Sequence, residues 1–256
     1  MSQVPFALAF RRHAAYALKA YAYLPITFTK RVLLGKDPYW RQYFWSKWGY
    51  LPRELKESVR GRPTLWLDAV GGGEVTQIIT FCRKLRERFP EHKIVLSSNN
   101  KYSLDFASTI PELDFVFDTP WDLKAAARRA LKALNPCALI CIDNAPYPVL
   151  LREAQRLGVR TILVSGIMSS GFWKYSTYRR ALPMRFFRYL DAIGVKDEED
   201  REGYLMTGAE PEKIRVVGNM KYDIEFIKIN DEVRQGLRES LGWGREDRVL
   251  VGGCVR

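Results

Sequence analysis

Histidine is almost missing from this chain, with two in 256 residues, and cysteine is sparse, with four. Cys82, Cys137, Cys141 and Cys254 form no paired CxxC knuckles. That argues against a zinc site or a disulfide framework and for reduced thiols in a reducing compartment. No metal ligand set is expected. A membrane-spanning helix needs about 20 nearly uninterrupted apolar residues. The most apolar early stretch, Val4 to Phe28, is broken by Arg11, Arg12 and Lys19. It also lacks the clean apolar core and cleavage site of a signal peptide. Neither GxGxxG nor GK[ST] is present, so no nucleotide-binding fingerprint stands out. Internal repeats and low-complexity tracts are absent too.

What is present is an ordinary globular composition, 47% hydrophobic and 27% charged, long enough for one or two domains. The net charge of +12 suggests an anionic partner. The surplus sits mainly in residues 1–63, where twelve Lys/Arg face three acids and many aromatics. No nucleic-acid module is recognisable, so nucleic acid is not the expected partner. Basic residues interleaved with aromatics suit a helix lying in the membrane interface. An amphipathic helix packed on the protein's own domain fits the same pattern.

From Thr64 onward, short apolar runs alternate with helical patterns. Strands are expected at 65–70, 93–98, 114–118, 138–143, 159–165, 191–195 and 213–219. Helices are expected at 75–88, 122–134, 147–157 and about 178–190, with shorter ones between. This alternation reads as α/β, a Rossmann-like doubly wound parallel sheet over 64–223. Ligands of such sheets bind beyond the carboxyl ends of the strands. That places the loops at 68–74, 97–101, 143–148, 165–173 and 218–223 round one crevice. Residues 224–256 read as a linker, a helix, and the first strand of another α/β unit.

Gly71-Gly72-Gly73-Glu74 follows the first strand and opens a helix. Glycines there let a substrate approach the backbone, and amides at a helix start favour an anion. Glu74 fits two roles at that place: an acid stabilised by the helix dipole, or a general base aimed into the crevice.

The run LWLDAVGGGEV resembles a loop of the 3-deoxy-D-manno-octulosonic acid (Kdo) transferases, where His-Ala-Val-Ser is followed by x-Gly-Glu. ALICIDNAPYPVLLREAQRLGVRTILVS is similar to their Glu-Thr-Glu-Leu-Trp-Pro-Asn strand, helix and next strand. VGNMKYD resembles their Gly-Asn-x-Lys-[Phe/Tyr]-Asp, and KDEEDREGYLMTGAEPEKIRVVGN is similar in spacing. The resemblance spans about residues 35–256. It implies the amino-terminal, acceptor-binding half of a two-Rossmann-domain (GT-B) glycosyltransferase that moves Kdo from CMP-Kdo to a lipid A precursor in lipopolysaccharide synthesis. The donor would bind a second domain that this chain is expected to lack. No cofactor is implied beyond the donor substrate. Glu74 matches the catalytic base, Lys221 a lysine that stabilises developing charge, and Asp143 the first acid of Glu-x-Glu. Gly72, Gly73 and Asn219 would line the substrate site. The family's membrane association implies the cytoplasmic face of the inner membrane.

The chain departs from the pattern within the crevice. Asp68 replaces the motif's His, Gly71 its Ser, Ala145 the second acid, and Tyr147 the Trp. Ser165 to Ser169 replaces an Asn-Ala-Arg-Leu-Ser run. These changes leave open a different donor or acceptor, or a non-catalytic module that binds an acidic glycolipid. Lys174, Arg179 and Arg180 sit among aromatics between Ser169 and Leu190. They fit a patch for acceptor phosphates and acyl chains, and equally a solvated helix face over core aromatics.

Overall fold

A computed structural model describes residues 38–145, 147–168, 185–206, 208–223, 230–244 and 246–250. They divide between two compact units, one up to Asp223 and one from Ile224.

The first unit is built on seven strands: β1 Thr64–Asp68, β2 Lys93–Ser98, β3 Phe115–Asp118, β4 Ala138–Ile142, β5 Arg160–Gly166, β6 Ala192–Val195 and β7 Ile214–Val216. All pair in parallel, in the order β3-β2-β1-β4-β5-β6-β7. This is the doubly wound sheet the alternating pattern predicts. Strand order reverses between β1 and β4, and the crevice of such a sheet opens there. β1 and β4 are buried along their whole length. Their apolar residues do not alternate with polar ones because helices cover both faces.

The pleat sorts the core into two layers. Trp66, Val95, Leu139 and Leu163 point to one face, under helices α2 Arg53–Val59, α6 Lys124–Leu134, α7 Pro148–Arg156 and α8 Glu198–Met206. Leu65, Leu67, Ile94, Ile140 and Ile142 point to the other, under α3 Gly72–Gln77, α4 Ile79–Arg88 and α5 Lys101–Ala107. α6 shows why these segments are helices. Ala126, Ala127, Ala130, Leu131 and Leu134 recur on one buried face. Burying each leucine contributes about 1.5–3 kcal/mol. The helix stops at Asn135, left-handed at φ 43°, before Pro136.

Three expectations need correction. The helix expected over 75–88 is two helices that break at Ile78 (φ −87°, ψ −1°), and the first starts earlier, at Gly72. The strand expected over 213–219 is only Ile214–Val216. Val217 N–H still donates to Val195 O at 2.9 Å, but Gly218, at φ +86°, turns the chain away. Of the helix expected over 178–190, the described part is a 3₁₀ turn, Arg185–Tyr189.

The basic, aromatic segment is described from residue 38. Helix α1 Pro38–Lys47 leads into α2, whose Leu55 and Val59 lie in the core. Trp48 packs edge-on against Trp121 at 5.3 Å, and Arg129 stacks on Tyr50 at 4.2 Å. This part packs on its own domain. Val4 to Phe28 lies outside the described residues. No helix of the described residues is long and apolar enough to cross a membrane.

The second unit holds α9 Asp231–Ser240, capped by Asn230, whose side chain accepts from Val233 N–H at 2.8 Å. Residues 246–250 carry no regular structure apart from a turn at Glu246, and the rest of the expected strand, 251–256, lies outside the described residues.

Candidate functional site

Glu74, Asp143 and Lys221 come from three distant parts of the chain and meet beyond the carboxyl ends of β1 and β4. Glu74 is the third residue of α3. Its Oε2 accepts from Gly71 N–H, so the carboxylate caps its own helix. The glycines before it are not demanded by the turn. None of the three is in the left-handed region, Gly72 and Gly73 are exposed, and a Cβ on Gly73 would meet nothing within 4 Å. At Gly73 the missing side chain leaves bare backbone facing open space beside Glu74.

Asp143 follows β4 in a left-handed conformation, φ 59°, uncommon for a non-glycine residue. The turn is pinned to β5: Asp143 N–H donates to Val164 O, and Ile167 N–H to Asp143 O, both at 3.0 Å. Ser165, at the end of β5, is left-handed too, φ 52°. Its Oγ accepts from Met220 N–H at 3.1 Å. Such residues persist where the surrounding structure holds them, and they gather at functional sites.

Met220 opens a 3₁₀ turn, Met220–Asp223, that carries Lys221. Asn219 Oδ1 accepts from Lys221 N–H at 2.9 Å and shapes the turn. Thr80 Oγ1 donates to Asp223 O at 2.9 Å and ties it to α4. Lys221 Nζ stands 3.9 Å from Asp143 Oδ2, a loose pair with the lysine half exposed and so well screened.

The electrostatics follow from burial. Burial raises the Glu74 pKa; the Gly71 N–H opposes, the Asp143 and Asp68 charges add, and Lys221 opposes. Burial also raises Asp143, with Gln77 and Lys221 pulling it back. A carboxylate shifted upward holds a proton more firmly, which suits a general base.

Beside these three lies a buried polar network under the same loops. Asp68, fully buried at the end of β1, accepts from Ser97 Oγ at 2.6 Å and Thr119 Oγ1 at 2.7 Å through Oδ1. Lys47, 2% exposed, reaches in from α1 and donates to Asn99 Oδ1 at 2.6 Å and Thr119 O at 2.8 Å. Asn99 Nδ2 donates to the Tyr147 hydroxyl at 2.6 Å, and that hydroxyl faces Asp68. Burial pushes Asp68 up to about 6, against its hydrogen bonds and the Lys47 charge. Burial pulls Lys47 down to about 8, against the Asp118 and Asp68 charges. Asp68 and Tyr147, two departures from the family pattern, thus belong to one connected wall. Sequence reasoning missed Lys47, Asn99 and Thr119, and no local signal marks them. The loop holding Tyr147 is fixed by Asp122, whose carboxylate accepts from Val149 and Leu150 N–H at 2.7–3.1 Å.

The structure therefore brings together Gly72, Gly73, Glu74, Asp143, Asn219 and Lys221. Lys174, Arg179 and Arg180 lie outside the described residues. Among the described residues, no group of three or more His, Cys, Asp or Glu could hold a metal ion.

Comparison with known proteins gives a consistent result. The family model described as 3-Deoxy-D-manno-octulosonic-acid transferase (kdotransferase) matches residues 42–224. The 3-deoxy-D-manno-octulosonic acid transferase of Chlamydia trachomatis serovar A is 28% identical over 203 residues, 78% of this chain and 47% of that protein. That of Chlamydia muridarum is 26% identical over 250 residues, 96% of this chain and 56% of that protein. The chain thus spans about half the length of the curated relatives it matches. A UDP-N-acetylglucosamine 2-epimerase from Rickettsia bellii superposes with a TM-score of 0.50 at 10% identity, over 72% of this chain and 52% of that one. At that identity the likeness is one of fold.

Proposed function

The chain belongs to the 3-deoxy-D-manno-octulosonic-acid transferase family, and on that premise we propose that it is the acceptor-binding half of a Kdo transferase. The reaction moves Kdo from CMP-Kdo to a lipid A precursor in lipopolysaccharide synthesis. The observation that carries the reading is the meeting of Glu74, Asp143 and Lys221 beside bare glycine backbone at the β1/β4 reversal.

Glu74 takes the proton of the acceptor sugar hydroxyl. The freed oxygen attacks the anomeric carbon of Kdo from the face opposite the nucleotide, with inversion. The bond from that carbon to the CMP phosphate breaks, and its electron pair leaves on the phosphate. Lys221 supplies positive charge for the anion that develops, and Asp143 holds Lys221 in place. The donor is held by a second domain, supplied by further chain or another polypeptide. Lys174, Arg179 and Arg180 contact acceptor phosphates. The basic amino-terminal segment keeps the enzyme at the cytoplasmic face of the inner membrane, near its glycolipid.

The test is transfer from CMP-Kdo to a tetraacylated lipid A precursor. It compares the chain alone, the chain supplied with a relative's carboxy-terminal domain, and Glu74→Ala of the active form. Product that needs the added domain and collapses with the substitution supports the proposal. No product in any form overturns it. A second reading, a glycosyltransferase of the same fold with another donor, is favoured by the Asp68–Tyr147 wall. Product from a different nucleotide sugar and none from CMP-Kdo would select it.

A further inference from the structure

Helix α3 carries a second polar side chain one turn beyond Glu74. Gln77 is 1% exposed, yet neither its Nε2 nor its Oε1 makes a hydrogen bond with the described residues. An amide enclosed this way gives up its bonds to water and gains none in return, and such groups are few in folded proteins. The group it faces is Asp143, itself 5% exposed, whose Oδ1 is equally unmatched.

The two side chains are chemical complements. A carboxylate only accepts, and a primary amide offers two donors. Asp143 divides its oxygens between two sides of the crevice, with Oδ2 toward Lys221 at 3.9 Å and Oδ1 without a hydrogen bond. Its backbone is already fixed by its bonds to Val164 of β5 and to Ile167 just after that strand. What remains free is rotation of the carboxylate, and that rotation decides whether Oδ2 meets Lys221. Closing the contact between Gln77 Nε2 and Asp143 Oδ1 matches two of the three orphaned atoms and removes that freedom.

We propose that Gln77 is a positioning residue, whose Nε2 donates to Asp143 Oδ1 and holds the carboxylate turned toward Lys221. This rests on the reading of Glu74, Asp143 and Lys221 as the acceptor site. Gln77 touches no substrate and acts through Asp143. No feature of the sequence marks it except its place on the Glu74 side of α3.

A purely structural glutamine would leave the ionisation of Asp143 alone, whereas one that donates to Oδ1 favours its charged form. The titratable groups facing Asp143 are Glu74 from α3, Lys221 from the 3₁₀ turn and Tyr204 from α8. Gln77 and Lys221 are the neighbours that favour its charged form against burial. Without the amide, Asp143 takes up a proton at higher pH, and Lys221 loses its anion there.

The experiment is a ¹³C NMR titration of the full chain labelled at aspartate carboxyls, with the Asp143 signal identified by its loss in Asp143→Asn. Gln77→Met keeps the length of the side chain and removes its polar atoms; Gln77→Leu serves if that variant folds poorly. The expected result is an upward move of the Asp143 midpoint by about one pH unit. In the complemented transfer assay, the acid limb moves up by the same amount. An Asp143 midpoint that stays in place overturns the inference. A moved midpoint with no transfer by the complemented wild type overturns the reading of the site instead, and supports the Gln77–Asp143 bond.

Discussion

Lys47 Nζ lies 2.6 Å from Asn99 Oδ1, joining the end of α1 to the loop after β2. A buried ammonium is tolerated there because Thr119 O accepts its second bond and Asp68 and Asp118 supply negative charge. Breaking a buried pair from one side typically costs about 3–5 kcal/mol. Lys47→Ala is therefore expected to lower unfolding free energy by about 3 kcal/mol at pH 7.5. At pH 5 the loss should be smaller, since Asp68 takes up a proton and no longer needs the cation. Denaturant unfolding at the two pH values checks this. An equal loss at both would show that the two charges are not coupled.

Asp68 gives a pH dependence of definite sign. Its folded pKa, about 6, lies above the ordinary aspartate value. The folded state then holds more protons than the unfolded state between about pH 4 and 6, so this group's contribution to stability falls as pH rises through that window. Asn in its place can still accept from Ser97 and Thr119 and has no charge to bury. The thermal midpoint of Asp68→Asn minus that of the wild type should climb from pH 4 to 6 and then level. A difference that falls over that window would refute the assignment.

Asp122 caps a helix that has no cap of its own. It accepts from the first free amides of α7 across the gap from the β3–α6 loop. Asp122→Ala is expected to cost about 1–2 kcal/mol. Because α7 begins beside Tyr147, hydrogen exchange should quicken first at Val149 and Leu150. Unchanged exchange at both amides would count against this role.

Glu74 separates chemistry from capping. Glu74→Gln keeps an oxygen for Gly71 N–H, so the unfolding midpoint should shift by less than about 0.5 kcal/mol equivalent. Loss of the base should still cut transfer by about 10²–10⁴ in the complemented assay. Glu74→Ala should lose both. Wild-type rates in Glu74→Gln would remove it from the proposed mechanism.

Gly49 is required by the backbone. Its φ is +78°, and a Cβ there would drive into the Ala126 carbonyl on α6. Gly49→Ala should cost about 3 kcal/mol from strain and displacement. Chemical denaturation measures it directly.

The sequence by itself determined the sheet. Runs such as LWLDA and ALICI, bounded by helical patterns and by breakers such as Asn135-Pro136, are local properties of the chain. A parallel sheet covered on both faces follows from them. The rule that ligands of such sheets bind at the strand ends also placed the loops carrying Glu74, Asp143 and Lys221 round one crevice. Tertiary structure alone decided how that crevice is walled. Lys47 reads in sequence as one cation among many in a basic segment, yet it ends buried against Thr119 and Asn99. Asp68 reads as a strand-end acid, yet Ser97 near the end of β2 and Thr119 just past β3 enclose it. Gln77 reads as a polar position on a helix, yet it faces a carboxylate from β4. Periodicity reports which face of an element is buried. Which strand ends become neighbours, and so which polar groups share a dry space, is set only when the whole sheet closes.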